Sequence, residues 1–114
     1  MTNVLAADDR LDTIFQALSN RTRRAILARL KKGPARVTEL ALPFGMSLNA
    51  ISKHIMVLER AGLIARSIAG REHICALDAA AMQNAEVWLS SYSAFWSSNL
   101  DKLAAFVETA ESVE

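Results

Sequence analysis

The stretch "SLNAISKHIMVLERAGLI", Ser47–Ile64, decides the fold. Ile51, Ile55 and Leu58 recur at helical spacing, and Leu48 lies about 60° to one side at 100° per residue. That stripe is predicted to pack on other helices. Ser47 stands where an N-cap is needed, and Gly62 follows the last apolar turn, so the helix is expected to run from Ser47 to about Ala61. Its far side carries Asn49, Lys53 and Met56, with Ala50, Ser52 and Val57 toward the flanks. A helix serving only the core has no need of so donor-rich a face.

Toward the N-terminus, "FGM" (Phe44–Met46) makes a tight turn through Gly45. Before it, Val37-Thr38 opens a short helix, "TELALPF", with Thr38 as cap, Glu39 at its positive end and Pro43 stopping it. A second helix follows Ser19-Asn20, carries Ala25, Ile26, Leu27 and Leu30, and stops at "KKGP", where Gly33 is expected in a left-handed cap. Leu11, Ile14, Phe15 and Leu18 predict a first helix over Asp9–Leu18. Toward the C-terminus, "LIARSI" and "REHICAL" read as two short strands joined around Ala69-Gly70. Asp78 then caps one long helix from about Ala79 to Val107. The order is α-α-α-α-β-β-α: a mainly α chain with a small β-hairpin wing, a winged helix-turn-helix. We expect a single domain over residues 1–114, with 11–78 as core and 79–107 as a C-terminal dimerisation helix.

The composition agrees. The chain has 114 residues, 52% hydrophobic and 22% charged, which suits one globular domain. No apolar run reaches the ~18 residues of a membrane span, and from the start "MTNVLAADDR", with acidic residues and no basic n-region, no secretory signal is expected. With Cys75 as the lone cysteine no intrachain disulfide can form, and a cytoplasmic location is the expectation. Net charge is only +1, but it is partitioned. Arg21–His73 holds eleven basic and three acidic residues, a balance of +8, against two basic and nine acidic residues in the flanks. A nucleic-acid contact depends on the local field rather than the total.

The far side of the Ser47–Ala61 helix suits a major groove, where the N-terminal residues of a recognition helix approach base edges. Asn49 offers a donor and an acceptor together, as adenine requires, and Lys53 can reach a guanine edge or a phosphate. Ser47 and Ser52 can bond to phosphate or base, while Ala50 permits close approach and contact with a thymine methyl. An ordinary solvated helix face is the plainer reading. The hairpin is expected to bring Arg66, Ser67 and Arg71 near its tip, over phosphates or as charges protecting an edge strand. Arg21, Arg23 and Arg24 begin the second helix, against its dipole, so a compensating partner is needed, either a group of the protein, such as an acidic residue in an ion pair with at least one of them, or a phosphate.

"SNRTRRAILARL", "TELALPFGMSLNAISKHIMVLERAGLI" and "GREHICAL" resemble, in this order, the signature stretches of ArsR-type winged-helix regulators, over roughly Leu11–Asp78. The ending "SYSAFWSSNLDKLAAFVE" is similar to a subgroup with an aromatic C-terminal helix. The resemblance implies a homodimeric transcription factor, usually a repressor, on a palindromic operator in double-stranded DNA. Its recognition contacts would fall on Asn49, Ala50, Ser52, Lys53 and His54, with a wing contact at Arg71. The metal-sensing members of that family carry a Cys-x-Cys cluster in the third helix, or His and carboxylates on the last. "TELALPF" has no Cys and no His follows His73, so no metal site and no cofactor is expected. Cys75, in phase with Leu77, is expected as a small core hydrophobe, and His54 as a hydrogen-bonded boundary residue.

Trp88, Tyr92, Phe95, Trp96, Leu100 and Leu103 recur at helical spacing near the C-terminus, with Leu89, Phe106 and Val107 widening the stripe. One side is expected to pack on the first helix and the other to form the homodimer interface. The aromatic cluster is also a candidate pocket for a small-molecule effector. We find no nucleophile with its base and no Gly-rich phosphate loop, so an enzyme is not expected. The rival classes are a winged-helix protein-interaction module and an effector-sensing repressor of the same fold, responding to metal, redox state or a small molecule.

Overall fold

A computed structural model describes residues 2–112, with side chains at 8–110. The elements are α1 (Thr2–Leu18), α2 (Arg21–Leu30), β1 (Ala35–Arg36), α3 (Val37–Ala41), a 3-10 turn (Leu42–Phe44), α4 (Leu48–Arg60), β2 (Ile64–Ala69), β3 (Glu72–Leu77), α5 (Ala79–Ser90) and α6 (Ser93–Ser112). The winged helix-turn-helix expected from the sequence is therefore present, with three additions, β1, the 3-10 turn and a second C-terminal helix, and with α1 beginning at Thr2 rather than near Asp9.

The caps explain most of the boundaries. The Asn20 side chain accepts from the Arg23 N–H at the head of α2, and Asp78 accepts from Ala80 N–H at the head of α5. Thr38 is not the cap of α3: Arg36 holds that position and makes no side-chain cap bond. Pro43 falls in the 3-10 turn, after α3 has ended. Gly45 then adopts φ 59°, a left-handed conformation that lets the chain reverse into α4. Gly33 has φ 137°, outside the left-handed helical region expected of it.

The core lies where α1, α2, α4 and the sheet meet. Ile14, Ala17, Ile26, Leu27, Leu30, Leu40, Ile51, Ile55, Leu58, Leu63 and Cys75 are buried there. Leu48 departs from its expected place on the packing stripe, for half of it is exposed at the start of α4.

The hairpin has its two-residue turn at Gly70-Arg71, one residue beyond the expected Ala69-Gly70, because Ala69 still pairs with Glu72. Gly70 takes φ 65° at the first turn position, as a tight hairpin requires. The sheet has a third strand that the sequence did not announce. Ala35 pairs with Cys75 and Arg36 with Ile74, giving the antiparallel order β1-β3-β2. This strand fastens the wing to the segment that leads into α3.

The C-terminal segment is two helices, not one. The hydroxyls of Ser90, Ser91 and Ser93 donate to the carbonyls of Val87, Trp88 and Ser90, at 2.8, 2.6 and 2.8 Å. Such back-bonding competes with the helix ladder and bends it. After this break α6 projects from the body, and none of its described residues is buried. The molecule measures 69 × 42 × 20 Å, with a radius of gyration of 19.7 Å. A compact chain of this length would have a radius of about 13 Å. Among the described residues, no helix is long and apolar enough to cross a membrane.

Candidate nucleic-acid interface

The head of α4 is built as an exposed, capped N-terminus. Ser47 is extended (φ −64°, ψ 153°), and its Oγ accepts from the Ala50 N–H at 3.1 Å. Ile51, Ile55 and Leu58 are fully buried behind it, which fixes the rotation of the helix about its axis. Asn49 and Lys53 are consequently exposed on the outer face, with Met56 below them, and Ala50 and Ser52 half-buried at the flanks. The face expected from the sequence thus points outward as one patch.

Between α4 and the wing runs a groove of about 330 Å³. Leu48 and Ser52 of α4 form one wall, Val37 and Thr38 of α3 lie at one end, and Arg66, Arg71, Glu72 and His73 of the wing form the other wall with Arg36. Arg71 is exposed at the hairpin turn. The wing and the flank of α4 at Leu48 and Ser52 therefore border a single concave surface.

Two candidate residues are placed differently from the expectation. Arg66 is not near the hairpin tip. It pairs with Cys75 in mid-strand, and its Nη2 donates to Glu59 Oε1 at 2.6 Å, tying β2 to α4. His54 is half-buried, and its Nδ1 accepts from the Arg23 guanidinium at 3.3 Å. A guanidinium can only donate, so a neutral His54 must carry its proton on Nε2. Both side chains are committed within the protein.

Arg23 and Arg24 at the head of α2 find the compensating partner that their position demands within the protein, in backbone carbonyls rather than an acidic side chain. Arg23 donates through Nε to the Ala17 carbonyl at 2.8 Å and through Nη2 to Gln16 at 3.0 Å, and Arg24 Nη1 donates to Leu18 at 2.8 Å. These are the last carbonyls of α1, the negative end of that helix.

Sequence reasoning missed Arg36. Its Nε donates to Glu39 Oε1 at 2.7 Å and its Nη1 to Glu72 Oε1 at 2.9 Å. The side-chain bonds to Glu39 and Glu72 hold the Arg36 guanidinium above its ordinary value, and the bond from Arg36 is the main cause holding Glu39 below the usual carboxylate range. The three-residue spacing to Glu39 was visible in the sequence. The partnership with Glu72 depends on β1 pairing with β3, which was not. Cys75 is fully buried, as expected of a core hydrophobe, and burial pushes its thiol up.

Trp88, the first member of the aromatic stripe, touches the body. The Trp88 ring meets Phe15 of α1 edge-on at 5.5 Å and Tyr92 at 5.1 Å. Phe95, Trp96, Leu100 and Leu103 lie 56–65% exposed on α6.

Comparison with known proteins agrees with this geometry. The model of a helix-turn-helix domain family matches residues 18–66. The HTH-type transcriptional regulator Rv2034 of Mycobacterium tuberculosis is 43% identical over 67 residues, which are 59% of this chain. The match spans 63% of that regulator, less than two thirds of its length. The transcriptional repressor SdpR of Bacillus subtilis is 29% identical over 82 residues, covering 72% of this chain and 91% of that protein. The crystal structure of an ArsR family transcriptional regulator, RHA00566, is 44% identical, with a TM-score of 0.74, and the match covers 80% of this chain and 94% of that one. The chain belongs to the ArsR family of winged helix-turn-helix transcriptional regulators.

Proposed function

We propose that two copies of this chain, joined through α6 and the end of α5, bind a palindromic operator in double-stranded DNA and repress transcription in the cytoplasm. One observation carries the reading: Asn49 and Lys53 stand exposed beside a wing whose tip presents Arg71. The balance of +8 over Arg21–His73 supplies the field that phosphates need. In this reading Asn49 reads a base, Lys53 reaches a base or phosphate, and Ser47, Ala50 and Ser52 line the close approach. Arg71 meets the backbone beside the groove. His54 and Arg66 act from behind, holding α4 and the wing in place. The role of repressor is supported by the likeness to SdpR, itself a transcriptional repressor.

The chain acts by occupying DNA rather than by catalysis, with neither metal nor cofactor in the mechanism. The dimer is needed because one α4 covers only a half-site. A two-fold pair places the second copy in the next major groove, about 34 Å away. Selection of bound fragments from a random duplex pool tests the proposal. An inverted repeat with half-sites about one helical turn apart is expected. Recovery of no motif, or of a single unrepeated one, would overturn it.

A further inference from the structure

Four charged side chains form a line from α2 to the tip end of the wing. Arg29 Nη2 lies 3.7 Å from Glu39 Oε2, Arg36 bonds Glu39 at 2.7 Å, and Arg36 also bonds Glu72 at 2.9 Å. The members come from α2, β1, α3 and β3. Their side chains are 38–52% exposed, and pairs so open to water add little to stability. Their position matters more than their strength.

Arg36 pairs with Ile74, so Glu72 is its diagonal neighbour on the same face of the sheet. Arg36 and Glu72 both line the groove whose opposite wall is Leu48 and Ser52, and Arg71 adjoins Glu72 in the chain. A carboxylate is the wrong group to present to a polyanion. Glu72 sits beside the wing's exposed cation, and Glu39 lies one bond further along the line. Arg36 is the side chain that engages both.

We propose that Arg36 is a positioning residue for duplex binding: together with Arg29 it neutralises Glu39 and Glu72, and it pins the wing to α3, so that Arg71 meets the phosphates without an opposing charge. The inference rests on the DNA-binding reading above. It differs from a direct contact, because Arg36 acts through the two carboxylates and not on the duplex.

The test compares the full-length wild type, Arg36→Met, and the triple variant Arg36→Met/Glu39→Gln/Glu72→Gln on a duplex recovered by the selection, titrated over a range of salt. Arg36→Met should bind roughly five- to tenfold more weakly, and the triple variant should return to within about twofold of wild type, since the uncompensated charges are gone. The salt slope of the triple variant should match that of wild type. A triple variant that stays weak, with a slope reduced by about one per half-site, would make Arg36 a phosphate contact and overturn the proposal. An Arg36→Met variant that binds like wild type would overturn it too. Amide hydrogen exchange of residues 64–77 without DNA tests the pinning separately: faster exchange in Arg36→Met is expected, and unchanged exchange refutes it. A wild type that binds no duplex sinks the DNA-binding reading itself, while the exchange measurement still judges the pinning.

Discussion

Replacing Trp96 with glutamate should separate the subunits and leave each one folded. Trp96 is 56% exposed in the single chain, and no described residue of α6 is buried. A tryptophan offers up to about 250 Å², so covering the exposed part removes about 140 Å² from water. At ~25 cal/mol per Å² this stabilises the dimer by about 3.5 kcal/mol for each copy, and a two-fold interface counts it twice. If the partner covers only half of that surface, the loss is still about 3.5 kcal/mol, a change of more than a hundredfold in dissociation constant. The glutamate adds the cost of desolvating a carboxylate. Sedimentation equilibrium is the assay, with thermal melts at several protein concentrations. Wild type should sediment at twice the 12.5 kDa chain mass and melt higher as concentration rises. The variant should sediment as a monomer, with a cooperative melt independent of concentration. A variant of unchanged mass would refute the assignment of α6 as the seam, and a chain that no longer melts cooperatively would show that Trp96 serves the monomer core.

Three further outcomes are expected. Lys53→Ala and Arg71→Ala should each weaken duplex binding without changing the melting temperature, and Arg71→Ala should lower the salt slope by about one per half-site, read by fluorescence anisotropy over a salt series. Asn49→Ala should relax base preference at one position per half-site, at about 1–3 kcal/mol, whereas equal loss on every sequence would reduce Asn49 to a backbone contact. Because burial raises its thiol, Cys75 should carry little thiolate at neutral pH and react slowly with a disulfide reagent until denaturant is added, and rapid native labelling would contradict the placement of its side chain in the core.

The sequence made α4 legible because its signals are local and agree. Ser47 caps it, Ile51, Ile55 and Leu58 fix its inner face, and the outer face follows by geometry. Gly45 and Gly70 announced the two tight turns for the same reason: a positive φ leaves few other residues. What stayed hidden depends on pairing at a distance. A two-residue strand has no periodicity to read, so β1 emerges only once Ala35 lies against Cys75. The committed states of Arg66 and His54 come from Glu59 and Arg23, each brought near by the packing of α4. The division of the last helix was hidden for another reason. The apolar stripe runs on through residues 88–107, whereas the bend comes from serine hydroxyls that hydropathy does not register.

That serine-bonded bend gives the last helix mechanical advantage. Twenty residues of helix extend about 30 Å, so a swing of about 10° at Ser90–Ser93 carries the tip roughly 5 Å. A small torsion near the body thus becomes a large displacement at Phe106 and Val107, and whatever grips that end holds the lever by its long arm.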